Sequence, residues 1–399
     1  MNQLNKDMGK EHLKLVVSGD LGGSQVKAIA QPYPNGVPQV LAMEPEIADV
    51  SKNSIARVSQ EGGYTNSIWV GINSEYYALG TLAKTFAGTS ALRDLKGYYA
   101  VPKLASLLWL ACRRFGLKSD TDIFVQVLLP PGEIANGKEI GKKLGQAINR
   151  GIITPTTKLK GQIRNFYIAP EGSGIIGYRR RALGASYSQK NVGMLMLGYR
   201  NANFIFNQKG NSALSETTAL GMNWLVQQFV ERTAVGLSKE DERIVTAILA
   251  AGKGNFDALR PLSRQATLMG VESDLKRFQK TLPDVREDYC RALMRWMRNI
   301  AALDEILICG GTADFIREEL TEHFQRENVP IVWNGGVEIP KALDTLGLGD
   351  RIADVWAAHM TYIKMLDKNL GYERKQELVP DSNSPTPQAT SLSQLITYR

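Results

Sequence analysis

The stretch Leu13–Gln31, LKLVVSGDLGGSQVKAIAQ, decides how the rest of the chain reads. An apolar run from Leu13 to Val17 leads into a carboxylate at Asp20, glycines at Gly22 and Gly23, a hydroxyl at Ser24 and a cation at Lys27. A second apolar run then leaves in the opposite sense, so the pattern predicts a β-hairpin with a phosphate-sized turn. Glycine lets backbone N–H groups approach an anion closely and makes a nest for it. Lys27 offers a point charge to phosphate, whereas Asp20 repels phosphate and suits the turn only with a divalent cation between them. A tight hairpin turn with a surface Asp and Lys satisfies the same residues, so the segment needs support from downstream.

At 399 residues the chain is long enough for two domains, and 43% hydrophobic with 22% charged residues is ordinary for a globular protein with a sizeable core. Cys112, Cys290 and Cys309 lie far apart in apolar surroundings with no CxxC pair or His cluster, which points to reduced thiols and away from zinc. The amino terminus has no apolar signal core, and no window reaches the roughly 18 consecutive apolar residues of a membrane span. A cytoplasmic protein without a membrane partner is expected. The net charge of +8 is spread along the chain, apart from clusters at Arg179, Arg180 and Arg181 and at Lys138, Lys142 and Lys143. Without an aromatic-interleaved basic motif, these charges suit a solvated face or a protein interface better than nucleic acid.

After the hairpin, Val37 to Met43 predicts a third strand, and Glu44 to Gly63 reads as polar and irregular. Ser67 to Ile72 and Glu75 to Leu79 form a second hairpin around Asn73 and Ser74. A helix begins near Pro102 with Leu104, Leu107, Leu108, Ala111 and Cys112 on one face; a doubly buried strand, Asp122 to Leu129, and a helix, Gly137 to Arg150, follow. That order calls for a parallel or mixed sheet with crossover helices. Gly161 to Ile168 is another strand, ending in a Gly- and Ser-rich loop around Glu171, and Ile175 to Ala185 is a linking helix. Met194 to Leu197, a turn at Gly198–Asn201 and Ala202 to Asn207 then repeat the opening hairpin, which suggests an internal duplication.

Beyond this the chain reads as mostly helical. Gly221 to Arg232, Lys239 to Gly252 and Val285 to Ile300 are amphipathic, with Pro283 starting the last after a polar segment from Glu272. Asp304 to Cys309 is a buried strand, Gly310-Gly311-Thr312 turns into a helix from Ala313 to Phe324, and Val329 to Trp333 is a further strand. A helix from Asp350 to Leu366 closes the folded part, and the Pro-, Ser-, Thr- and Gln-rich tail from Gly371 is expected to be disordered.

Four pieces now stand in order: Asp20-Leu-Gly-Gly-Ser-Gln-Val-Lys27, the Glu171 loop, the Gly198 turn and Ile308-Cys-Gly-Gly-Thr312. Over about residues 12–366 the chain resembles the actin-like ATPase superfamily, and within it the ParM/StbA group of bacterial and plasmid filament proteins. The resemblance implies an α/β, two-lobed actin-like fold, a duplicated ribonuclease H-like architecture with a nucleotide cleft between the lobes. It places the first lobe at 12–185, the second at 186–349, a helix returning to the first lobe at 350–368 and the disordered tail at 371–399.

By the same resemblance ATP and Mg²⁺ are the expected ligands. Asp20 holds Mg²⁺ through water, Gly22, Gly23 and Ser24 approach the phosphates, Lys27 reaches the β- and γ-phosphates, and Glu171 orients the attacking water, where a solvated loop residue is the alternative. Gly310, Gly311 and Thr312 match the adenosine loop, and Gly221 approaches the nucleoside. One departure stands out: the family's second hairpin carries an aspartate before its turn, and here Met196 takes that place, with no carboxylate from Met194 to Asn207. Gly198, Arg200, Asn201 and Asn203 remain as donors to phosphate oxygens, so binding is expected to survive better than fast hydrolysis.

The resemblance therefore implies an ATP-dependent filament whose hydrolysis is expected to be slow or altered. Self-association is the expected partnership, with a DNA-binding adaptor protein carrying cargo such as a plasmid and no direct contact with nucleic acid. A non-polymerising ATP-binding scaffold or a small-molecule kinase of the same superfamily is the alternative; no second Asp-rich glycine loop speaks for the kinase. The arginines at 179–181 serve either a lateral filament contact or a solvated helix face.

Overall fold

A computed structural model of the chain describes residues 14–60, 67–90, 96–117, 121–239, 241, 243–297 and 302–374. The tail read as disordered lies outside the described residues from 375 on, as does the end of the helix expected to reach Ile300. The chain divides into two compact units, one formed by residues up to Gly177 together with those from Val337, the other by Tyr178–Gly336.

The first unit is built on the opening hairpin. Lys14–Leu21 pairs antiparallel with Val26–Tyr33, in a register that sets Asp20 opposite Lys27, and Val26–Tyr33 pairs antiparallel with Gln39–Met43. On its other side Lys14–Leu21 pairs parallel with Thr121–Leu129, which pairs parallel with Gly161–Pro170. The first strand is thus central and must be apolar on both faces. Leu15 and Val17 join the core beneath the helix Ala100–Arg114, while Val16 packs with Tyr362, Ile363 and Leu366 of the helix Ala353–Leu370. Ser18, on that second face, is hydrogen-bonded to the buried His359 at 2.9 Å. A smaller antiparallel sheet carries Ser67–Ile72 and Glu75–Gly80, joined by a two-residue turn in which Asn73 and Ser74 both take positive φ.

The second unit repeats this topology. Asn191–Leu197 is central, paired antiparallel with Ala202–Gln208 and, beyond it, Asn211–Thr218, and parallel on its other side with Glu305–Cys309 and then Ile331–Trp333. Both sheets therefore run third, second, first, fourth, fifth strand. Both first hairpins also close on four residues, 22–25 and 198–201. The duplication inferred from the returning hairpin pattern is borne out at the level of topology.

Four local expectations need correction. Residues 44–63 hold a strand, Ile47–Val50, which pairs with Glu75–Gly80, and a helix, Lys52–Gln60, whose Ser54 N–H is capped by the Ser51 hydroxyl. Asn211–Thr218 is a strand without apolar alternation because it is an edge strand exposed along nearly its whole length. Pro283 lies inside one helix, Leu268–Met297: the buried stripe Leu275, Phe278, Leu282, Val285, Tyr289 and Leu293 runs through it, and continuous core packing outweighs the lost backbone donor. The helix after Thr312 is two, Gly311–Phe315 and Arg317–Arg326, broken where the buried Ile316 takes non-helical angles.

Candidate functional site

At the end of the first central strand, cross-strand register brings Asp20 against Lys27, Oδ2 to Nζ, at 2.9 Å. The other carboxylate oxygen of Asp20 accepts from Lys96 at 3.1 Å, and Lys96 also donates to Glu171. Lys27 donates in addition to the Arg351 carbonyl at 2.9 Å. These four side chains are only between 10% and 20% exposed, so their attractions act in a medium of low polarizability rather than in bulk water. Burial pushes the Asp20 carboxyl up, but Lys27 and Lys96 outweigh it and hold the group well below the ordinary carboxylate range. Burial likewise disfavours the Lys96 ammonium, and Asp20 and Glu171 reverse that, raising its pKa.

The backbone fixes this cluster. Glu171 follows the edge strand Gly161–Pro170, and its N–H bonds to the Leu129 carbonyl at 2.9 Å. Lys96 precedes the helix Ala100–Arg114, and the next N–H, that of Gly97, donates to the buried Glu133 carboxylate at 3.2 Å. Lys103, buried in that helix, has its pKa lowered to about 8 by desolvation and then by the charge of Lys96. Behind Glu171 the loop enters the helix Ser173–Leu183, and Asp354 caps its start from the facing helix, accepting from the N–H groups of Gly172 at 2.7 Å, Gly174 at 3.1 Å and Ile175 at 3.3 Å. A Cβ on Gly174 would lie 2.3 Å from the Asp354 carbonyl oxygen, so this crossing is open to glycine alone. Burial raises the Asp354 pKa to about 7; the Gly172 N–H opposes the rise, and Asp20 and Glu171 add to it.

In the second unit the turn 198–201 gathers the other residues singled out from the sequence. The Gly198 N–H bonds to the Asn201 carbonyl at 2.9 Å, and the Gly198 carbonyl accepts from the Met222 N–H at 3.1 Å and the Thr312 hydroxyl at 2.8 Å. Gly221 lies against the Tyr199 and Arg200 backbone, and Gly310, at φ 100°, against Leu197, where a Cβ would stand 2.3 Å from the carbonyl oxygen. Gly198, Gly221, Gly310 and Thr312 are therefore neighbours although 114 residues separate the first from the last. Asn203 is buried and its side-chain oxygen accepts from Thr217 at 2.8 Å. Register places Met196 opposite Asn203, the positions that Asp20 and Lys27 occupy in the first hairpin.

The basic cluster at 179–181 resolves into internal roles for two of its members. Arg179 makes a two-pronged bond to Glu305 at 2.9 and 2.8 Å, and Arg180 donates to the Gly210 carbonyl while stacking over Tyr187 at 5.3 Å. A cavity of about 690 Å³ in the second unit is lined by Phe256, Arg286, Cys290, Arg291, Phe315 and Arg326 among others and includes none of the candidate nucleotide-site residues. Arg286, Arg291 and Arg326 are engaged with Glu319, Glu287 and Glu322 respectively.

The donor set tests the expected Mg²⁺. Both oxygens of Asp20 face ammonium groups, Glu171 shares one of them, and among the described residues no group of three or more His, Cys, Asp or Glu side chains lies together as metal ligands would. Mg²⁺ asks for a near-ideal octahedron of oxygens, and two lysines occupying the carboxylates do not fit it. Lys96 and Asp354 escaped the sequence reading: neither sits in a glycine-rich motif, and each meets its partners only through the tertiary fold.

No family profile and no curated protein sequence matches the chain. Solved structures do. A ParM from Clostridium botulinum, determined as a 15-stranded filament, superposes with a TM-score of 0.56 at 16% identity, over 88% of this chain and 99% of that one. Ta0583, an archaeal actin homologue, gives 0.57 at 12% identity, covering 88% and 99%. A Bacillus thuringiensis ParM hybrid containing two ParM mutants, determined with ADP, gives 0.55 at 14% identity, covering 89% of this chain and 50% of that one. At such identities the likeness is one of fold, and together with the duplicated sheet topology it means that the chain has the α/β actin-like fold in the form shared by ParM-type proteins.

Proposed function

We propose that the chain is a nucleotide-dependent, filament-forming protein of the actin-like kind that binds ATP and hydrolyses it slowly. The observation that carries the reading is the opening hairpin: a glycine-bearing four-residue turn on a central strand, with Asp20 and Lys27 set across it and Glu171 joined to them through Lys96. The N–H groups of Gly22, Gly23 and Ser24 and the Lys27 ammonium bind phosphate oxygens, and Glu171 orients the attacking water. In the second unit the turn 198–201 meets Gly310–Thr312, the expected adenosine loop, and offers Arg200 and Asn201 as further donors, with Gly221 at the nucleoside. Phosphoryl transfer depends on positioning and charge stabilisation, so replacement of a carboxylate by Met196 lowers turnover more than it lowers binding.

Head-to-tail association through a heterologous interface that does not close yields a helical filament, and nucleotide biases assembly through different contacts with two states of the protomer. The filament character of the Clostridium botulinum ParM supports this reading. Cargo positioning, such as DNA segregation through an adaptor protein, is the role that follows. Among the described residues no helix is long and apolar enough to cross a membrane. Light scattering, pelleting and negative-stain microscopy with ATP, a non-hydrolysable analogue, ADP and no nucleotide, alongside phosphate release, test the proposal. Filaments with ATP and the analogue are expected, with slow phosphate release. ATP binding without a critical concentration in any state would replace the filament by a non-polymerising scaffold or kinase.

A further inference from the structure

Lys96 is the charge that the proposed phosphate site does not explain. Its ammonium sits between the two carboxylates to which water and metal chemistry would fall, 3.1 Å from Asp20 and in direct contact with Glu171. We propose that Lys96 stands in for a divalent cation at this site, so that the chain binds the phosphates of a nucleotide without needing Mg²⁺. The inference rests on the reading of the turn as a nucleotide-phosphate site.

Four observations support it. Both oxygens of Asp20 are committed to ammonium groups, one to Lys27 and one to Lys96, so a cation reaching that carboxylate meets two positive charges first. The charges of Asp20, Glu171, Lys27 and Lys96 sum to zero, so these four side chains together leave no net negative charge for a metal to offset. Lys96 is held in place, because the adjoining Gly97 N–H is tied to Glu133 and the side chain is only 15% exposed. The second hairpin, at the register position of Asp20, carries Met196, so the duplicated strand does not repeat the carboxylate of the first.

Calorimetric titration of the full chain with ATP, in excess Mg²⁺ and in excess EDTA, tests this. The wild type is expected to keep its affinity in EDTA to within about fivefold, and a larger loss would overturn the inference while leaving the nucleotide reading intact. Lys96→Met, which keeps the length and removes the charge, is expected to bind ATP more than about thirtyfold more weakly in EDTA than in Mg²⁺; metal-independent binding by this variant would also overturn it. A readout free of nucleotide comes from electron paramagnetic resonance of Mn²⁺: Lys96→Met and Lys96→Gln gain a bound ion that the wild type lacks, and equal Mn²⁺ binding by all three speaks against the proposal. If the variants fail to fold, the wild-type comparison still decides. If the wild type binds ATP in neither buffer, the phosphate-site reading fails and takes this inference with it.

Discussion

Replacing Asp354 by Asn separates a charge from a shape at the point where two helices meet. The carboxylate accepts three N–H groups at the start of the helix Ser173–Leu183, two through Oδ1 and one, from Gly172, through Oδ2. Asn keeps one oxygen for Gly174 and Ile175 and turns an NH₂ group toward Gly172, so one bond is lost at every pH, at a cost of about 1–3 kcal/mol. The second effect depends on pH. The folded-state pKa is about 7 against an ordinary 3.8, with burial as the leading cause. Between these values the folded state binds a proton that the unfolded state has released, so this group's contribution to stability is greatest at low pH and is lost as pH rises through 7.

From about pH 5 to about pH 8.5 the wild type therefore loses about 2–3 kcal/mol through Asp354, about 1.4 kcal/mol for each of the two units below the folded pKa of about 7 and nothing above it. Asp354→Asn, with nothing to ionise there, loses none of it. Urea denaturation of both proteins across this range measures the difference. Stability of the variant relative to the wild type should improve by that amount as pH rises. A difference that stays constant to within about 0.5 kcal/mol would show that Asp354 is ionised throughout and that the three N–H donors, rather than burial, set its pKa.

His359 gives the opposite pH dependence in the same unit. It is fully buried between Ser18 and Gln31, its pKa lowered to about 3 first by burial and then by Arg374, so it folds neutral; below the ordinary 6.5 the unfolded state gains a proton that the folded state refuses. Stability should fall by up to about 1.4 kcal/mol per unit as pH drops from 6.5 toward 3, and His359→Gln should abolish that slope in urea titrations; an unchanged slope would reject the assignment. In the second unit, Gly310→Ala meets both a positive φ and a contact of 2.3 Å with the Leu197 carbonyl oxygen. A loss of more than about 2 kcal/mol is expected by chemical denaturation, together with weakened ATP binding, and a neutral result would mean that this turn relaxes freely.

What the sequence shows well is local and periodic. The opening hairpin, its four-residue turn, the doubly buried strand at 121–129 and the Asn73-Ser74 turn follow from alternation and turn chemistry over a few residues, and each reads directly. The repeated sheet order was reachable because the second hairpin copies the apolar spacing of the first. Elements whose pattern is set by distant neighbours are harder. Pro283 reads as a helix start because local rules forbid it inside a helix, yet a buried stripe on both sides of it carries the helix through. Asn211–Thr218 carries no signal because an exposed edge strand is held mainly by its ladder bonds to one neighbour.

The candidate site divides along the same line. Asp20 and Lys27 are seven positions apart and face each other because antiparallel register demands it, so a hairpin prediction already pairs them. Lys96 lies 76 residues from Asp20 and 75 from Glu171, one basic residue among 48, with no motif around it. Only the stacking of the helix Ala100–Arg114 on the central sheet, and the bond from Gly97 to Glu133, bring its ammonium to the two carboxylates. The motifs recognisable in the sequence thus mark the phosphate site proposed above, while the charge that balances its carboxylates arrives by tertiary packing. A reading that stopped at the motifs would assign the balancing charge to Mg²⁺, and it is the position of one lysine that makes the two accounts separable by experiment.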